Sequence, residues 1–211
     1  MMNSVLILVC SYILGSIPFG LIICKLWKGI DIRTCGSGNI GATNVMRSAG
    51  ILPAVVVFIA DVSKGLVSVL AAKHFAPQIV WLPIVAGMLA IIGHSASIFL
   101  GFSGGKGVAT SLGVIIGLDW RIALLSFTLW VVLVIVTKYV SVASILASVS
   151  VPVLMFIFQK HVSYKIFAVL AASLVAVRHY SNVIRLLQGR EPRWGEKAKT
   201  LEDGNGKRRG K

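Results

Sequence analysis

The stretch from Gly36 to Gly50 reads Gly-Ser-Gly-Asn-Ile-Gly-Ala-Thr-Asn-Val-Met-Arg-Ser-Ala-Gly and lies between two long apolar runs. Its closely spaced glycines let backbone N–H groups crowd into a nest that binds anions. Ser37, Thr43 and Asn44 add neutral donors, and Gly38 and Asn39 belong to the same turn. Arg47 adds a fixed cation able to fork onto phosphate or carboxylate. No Asp or Glu lies between Ile32 and Gly50, so the stretch suits an anion and not a metal ion.

What surrounds it is membrane. Of 211 residues, 56% are hydrophobic and only 13% charged, against about 25% charged in a soluble domain. The mean hydropathy is +0.88. The net charge of +14 is uneven, since ten of the 21 Lys and Arg fall from Arg178 onward. That end lacks the interleaved aromatics of a base-stacking surface, so no nucleic-acid partner is expected. Cys10, Cys24 and Cys35 have no metal spacing, and no disulfide framework is expected. The start lacks a basic n-region, so the first apolar segment reads as retained.

Outward from the loop, apolar spans are read over 3–24, 51–72, 78–93, 108–118, 122–136, 145–158 and 166–187. The fourth is short for a crossing. The expected fold is therefore an all-α integral membrane protein of about seven transmembrane helices. Residues 1–190 form the membrane domain, and 191–211 a basic, disordered cytoplasmic tail. With the Lys25–Gly50 loop placed inside, the bias of Lys and Arg sets the N-terminus outside and the C-terminus in the cytoplasm. The polar stretches 36–50, 94–110 and 138–144 then share the cytoplasmic side. Asp61 and Lys64, three apart on one helical face, are either a structural ion pair or part of a site.

Several familiar patterns fail on inspection. Gly36-x-Gly38-x-x-Gly41 has the letters of a dinucleotide fingerprint but follows a membrane span instead of a strand. A P-loop around Lys106 would need Gly at 100 and Ser or Thr at 107, where Leu100 and Gly107 stand. Lys106, bracketed by Gly104, Gly105 and Gly107, still makes a point charge beside a backbone nest. No His is followed five residues later by Asp: His74, His94, His161 and His179 have Ile79, Phe99, Ile166 and Ile184. No metal or cofactor is expected, because the acids form no ligand cluster. His179 and Asn182 share a face at the end of the last span.

Three motifs in order carry a resemblance. They are Gly36–Arg47; Gly93-His94, then Phe102-x-Gly-Gly-Lys106-Gly-Val-Ala-Thr110; and Tyr139-Val-Ser141-x-Ala-Ser144-Ile. With Gly-Ser-Ile-Pro-Phe-Gly at 15–20 and Asn182-x-x-Arg-Leu-Leu-x-Gly-x-Glu191, they closely resemble the bacterial PlsY family, acylphosphate:glycerol-3-phosphate acyltransferases. The resemblance implies a multi-pass enzyme of the bacterial inner membrane with a seven-span bundle and a site towards the cytoplasm. It would move an acyl chain from acyl phosphate to the 1-hydroxyl of sn-glycerol 3-phosphate, giving lysophosphatidic acid and phosphate. Functional coupling to an acyl-phosphate-producing enzyme follows.

By the same resemblance Lys106, Ser144, His179 and Asn182 would be catalytic. Ser37, Gly38, Asn39, Thr43, Asn44, Arg47, His94, Gly104, Gly105, Gly107, Thr110 and Ser141 would bind substrate. The second motif departs from the family in Ser95-Ala96-Ser97 and Ser103, so one basic charge is missing beside Lys106. The rival reading is an organic-phosphate transporter. It would need access from both faces, and no paired broken helices mark two inverted halves.

Overall fold

The computed structural model describes residues 2–159 and 161–196. Ten α-helices make up the described part: α1 (Met2–Ser16), α2 (Phe19–Lys28), α3 (Ala42–Ala49), α4 (Ile51–Phe75), α5 (Leu82–Ser95), α6 (Val108–Leu118), α7 (Trp120–Thr137), α8 (Val140–Phe158), α9 (Val162–Arg178) and α10 (Tyr180–Leu187). The all-α expectation holds for these residues.

Among the described residues, four stretches are long and apolar enough to cross a membrane: Ser4–Lys28, Ile51–Phe75, Trp120–Thr137 and Val140–Phe158. A fifth forms if α9 and α10, bent by 52° between them, count as one span. Helices α5 and α6 are apolar but have 14 and 11 residues, fewer than the roughly 20 a crossing takes. The chain is thus a multi-pass membrane protein whose two short helices sit among longer ones.

Helix α1 stops where Pro18 removes a backbone donor. The Ile17 carbonyl at this break accepts a hydrogen bond from Lys64 Nζ at 3.1 Å. Lys64 also lies 2.8 Å from Asp61 Oδ1, with both side chains nearly fully buried. The pairing read from their spacing is therefore present, and Lys64 adds a tie between α4 and the broken span.

Small residues bring the helices together, as they do where lipid gives apolar side chains no reason to prefer a protein partner. A Cβ on Gly15 would collide with the Ala90 carbonyl, joining α1 to α5, and one on Gly113 with the Val62 carbonyl, joining α6 to α4. One core cluster, with Ile91, Val114, Ile122, Met155 and Phe167, ties α5 to α9. A second sits beneath the polar loop, where Ile32, Ile40 and Val45 pack with Cys24 and Val57. The Gly36–Gly50 stretch is consequently not a free loop. It closes into α3, whose Val45 is fully buried.

Candidate active site

Four hydrogen-bonded links draw the polar stretches to one end of the bundle. Lys106 Nζ donates to Asn182 Oδ1. Arg47 Nη2 donates to the Pro192 carbonyl at 3.0 Å. The Trp194 N–H donates to the Lys138 carbonyl at 2.7 Å. Arg178 donates to the carbonyls of Gly104 and Gly105. The convergence expected of the three motifs is thus met, and the α9–α10 junction joins them.

Beneath this end lies a cavity of about 1270 Å³. Its mouth carries Ser37, Asn39, Thr43, Arg47, Lys106, His179, Asn182 and Arg185. The rest of its lining is mostly apolar, with Leu112 and Ile115 of α6, Trp130 of α7, Val151 of α8, and Ala168, Ala171 and Val175 of α9, among which Asp61, His94, Ser111, Ser126 and Ser148 are interspersed. A cationic mouth over an apolar chamber fits an amphiphile with an anionic head.

Asn44 is the keystone of the first loop. Its Oδ1 accepts the Ser37 N–H at 2.9 Å, and its Nδ2 reaches the carbonyls of Cys35 and Asn39 at 2.9 Å and Ile32 at 3.3 Å. An amide has two N–H donors, so none is left for a ligand. The structure makes Asn44 a builder of the loop and not a free donor. Asn39 likewise caps the Gly41 N–H. Gly38, at φ +70°, shapes the turn and is not on the cavity wall.

The second loop is held from both sides. The Gly105 N–H donates to the His94 carbonyl at 3.0 Å. A Cβ on Gly105 would strike the His94 ring, and one on Gly104 the His94 carbonyl. These two glycines therefore permit close packing and do not face the cavity, whereas Gly107 does. Thr110 is fully buried, and its backbone lies against Gly65 of α4, away from the cavity. His94 lines the cavity, with Nδ1 3.5 Å from Asp61 Oδ1. Where the second motif departs from the family, the Ser97 hydroxyl donates to the Ser16 carbonyl and the Ser97 and Ser103 backbones pair.

Lys106 ends in a relay. Asn182 accepts from it and donates through Nδ2 to Glu191 Oε1 at 2.6 Å. Glu191 Oε2 accepts from Arg185 Nε at 2.8 Å. Burial lowers the Lys106 ammonium to about 8 against the pull of Glu191, with Arg185, Arg47 and Arg178 adding to the push. Burial also lowers Arg47 from its ordinary value. Glu191 is buried, which opposes its charge, yet the Asn182 hydrogen bond and the other donors around it keep the carboxyl below the usual range.

His179 Nδ1 lies 2.7 Å from the Val175 carbonyl. A carbonyl only accepts, so Nδ1 carries the hydrogen and Nε2 is left as an acceptor. Ser144 accepts from Trp130 Nε1 at 3.1 Å, which leaves its own hydroxyl hydrogen to aim into the cavity it lines. Ser141 is a buried neighbour on the same wall.

Sequence reasoning assigned no role to Arg185, Glu191 or the Pro192 carbonyl. The signal was the terminal motif itself, which places Arg185 three residues after Asn182 on one helical face. Within the expected tail, Glu191 is buried, and Glu191, Pro192, Trp194, Gly195 and Glu196 line the cavity. The remainder of the expected tail, 197–211, lies outside the described residues.

The glycerol-3-phosphate acyltransferase family profile matches residues 5–189. The chain belongs to the glycerol-3-phosphate acyltransferase family. The glycerol-3-phosphate acyltransferase of Synechococcus sp. (strain CC9902) is 44% identical over 200 residues, covering 95% of this chain and all of that protein. That of Desulforamulus reducens is 44% identical over 196 residues, covering 92% and 97%.

Two crystal structures of PlsY (YgiH), an integral membrane glycerol 3-phosphate acyltransferase, share the fold of this acyltransferase. Its glycerol 3-phosphate form matches with a TM-score of 0.87 at 41% identity, covering 92% of this chain and 96% of that one. Its lysophosphatidic acid form matches at 0.85 and 40%, with the same coverage. The PlsY resemblance carried by the motifs is borne out. As a membrane glycerol-3-phosphate acyltransferase, the protein leaves the transporter reading behind.

Proposed function

We propose that the acyl donor is an acyl phosphate and that the acyl group goes to the 1-hydroxyl of sn-glycerol 3-phosphate. One observation carries this reading: Lys106 and Arg47 stand at a cationic mouth directly above an apolar chamber. Such a mouth suits two phosphates, one on each substrate, while the chamber takes the chain. Arg47 and the Ser37 hydroxyl hold the phosphate of glycerol 3-phosphate, and Asn44 fixes the loop that carries both. Lys106 sits between the two phosphates.

Acyl phosphate is a mixed anhydride with a good leaving group, so the protein need only position and stabilise charge. The 1-hydroxyl oxygen attacks the acyl carbon, the bond from that carbon to the phosphate oxygen breaks, and phosphate leaves. The hydroxyl proton ends on a phosphate oxygen, which balances the step without an Asp–His pair. Lys106 stabilises the charge gathering on the departing phosphate. Ser144, His179 Nε2 and Asn182 orient the reacting groups.

The site is read as facing the cytoplasm of a bacterial inner membrane, with the N-terminus outside and seven spans in all, α5 and α6 included. The short α6 would then be shielded by its neighbours. An upstream enzyme that makes acyl phosphate must supply the donor.

The test is phosphate release by the purified protein in lipid with palmitoyl phosphate and glycerol 3-phosphate, run beside palmitoyl-CoA. Release that requires glycerol 3-phosphate, with the thioester unused, is the expected result. Acyl transfer from palmitoyl-CoA at an equal rate would remove acyl phosphate as the dedicated donor.

A further inference from the structure

Arg178 ends α9, where the simplest role for a basic residue is to reach the lipid headgroups. It does something else. Its Nη2 donates to the Gly104 carbonyl at 2.7 Å and its Nε to the Gly105 carbonyl at 3.1 Å. Two successive carbonyls are thus held by one rigid fork, a geometry that a lysine ammonium does not reproduce. The next residue is Lys106. On the far side of the glycine pair, the His94 carbonyl accepts the Gly105 N–H, and the His94 ring leaves no room for a Cβ at Gly105. The pair is clamped between the end of α5 and the end of α9. Asn182, which accepts from Lys106, lies four residues beyond Arg178.

We propose that Arg178 is a positioning residue for acyl transfer: by forking onto the Gly104 and Gly105 carbonyls it sets the backbone from which Lys106 reaches Asn182 at the mouth. This inference rests on the reading of Lys106 as the cation for the substrate phosphates.

The charged groups acting on Lys106 are Glu191, Arg185, Arg47 and Arg178, with His179 beside it. Arg178 is one of those that hold its ammonium down. Fork and charge can therefore be separated by two variants. Arg178→Lys keeps the charge and loses the fork. Arg178→Gln loses both.

The experiment is steady-state kinetics of the full-length protein in vesicles across pH, with thermal unfolding measured on the same samples. Both variants are expected to unfold somewhat below the native temperature, because the Gly104 and Gly105 carbonyls lose their charged donor, and to lose about tenfold or more in kcat/KM for glycerol 3-phosphate per folded enzyme. The alkaline limb of kcat/KM should stay where the native limb lies in Arg178→Lys and move to higher pH in Arg178→Gln. The limb reads the charge alone; a purely structural arginine would lower the amount of folded enzyme and leave kcat/KM per folded enzyme at the native value.

Native kcat/KM per folded enzyme in either variant overturns the proposal, as does a loss of activity that only follows the folded fraction. If Arg178→Gln fails to fold, the loss of kcat/KM in folded Arg178→Lys decides the matter. Lys106→Ala is run alongside. Native turnover in Lys106→Ala sinks the reading of Lys106 itself. An inactive Lys106→Ala beside near-native Arg178 variants sinks only the role of Arg178.

Discussion

Lys106 and Asn182 meet side chain to side chain across 76 residues of sequence, and the same Asn182 amide hands on a hydrogen bond to Glu191. The amide lets a buried cation and a buried carboxylate share one network without direct contact. Replacing Asn182 by Ala leaves both without that partner in a partly buried place, where each lost charged hydrogen bond costs about 1.5–3 kcal/mol. Asn182→Ala should lower kcat/KM by at least tenfold while the protein still inserts. Native kinetics in the purified variant would show that the network is dispensable.

The Lys106 ammonium also sets a pH dependence. Its pKa is lowered to about 8, chiefly by burial. The protonated form is the one that binds phosphate, so it is present below that value and lost as pH rises through it. Because kcat/KM reports free enzyme, its alkaline limb should fall near pH 8. Bound phosphate brings negative charge that favours the ammonium, so the limb in kcat should lie higher. A flat kcat/KM profile to pH 10 would count against Lys106 as the titrating group.

Asn44 and Arg47 sit one helical turn apart and should fail differently. Asn44→Ala removes the four hydrogen bonds that the Asn44 side chain makes across the first loop, leaving buried carbonyls and one N–H unpaired at about 1–3 kcal/mol each. A clear drop in unfolding temperature is expected. Arg47→Ala leaves that closure intact and should give folded protein with little turnover. Thermal unfolding measured beside activity separates the two, and equal destabilisation would erase the distinction.

Most of the fold and much of the site could be read from the chain because composition marks membrane and the three motifs are long. The Asp61–Lys64 pair was legible as spacing on one helical face. Three features were not. Asn44 looks like a donor in sequence, and only the loop geometry reveals that its hydrogens are spent on Ile32, Cys35 and Asn39. Gly104 and Gly105 look like an anion nest, but their packing against His94 is a tertiary fact with no local signature. Glu191 sits in a charged, glycine-containing segment that reads as tail, and its burial depends on partners at Asn182 and Arg185. In each case a polar residue's local chemistry was plain while its partner, distant in sequence, was not.

The depth of the chamber bears on acyl-chain length. From His179 at the mouth, α9 descends 11 residues to Ala168, or about 16 Å at 1.5 Å per residue. An extended chain advances about 1.2 Å per bond, so this wall accommodates roughly 13 carbons. Ala168 and Ala171 line it, and Met155 and Phe167 belong to the same core cluster. Ala171→Phe would place a ring eight residues below His179, about 12 Å down the wall, in space the cavity already provides, and so should leave the fold intact. Short chains such as octanoyl end at or above that level, whereas palmitoyl must pass it. The ratio of kcat/KM for palmitoyl over octanoyl phosphate should therefore fall by about tenfold or more, since each excluded methylene is worth about 1–3 kcal/mol in such a pocket. An unchanged ratio in folded Ala171→Phe would mean that the acyl chain leaves the mouth by another route, towards lipid.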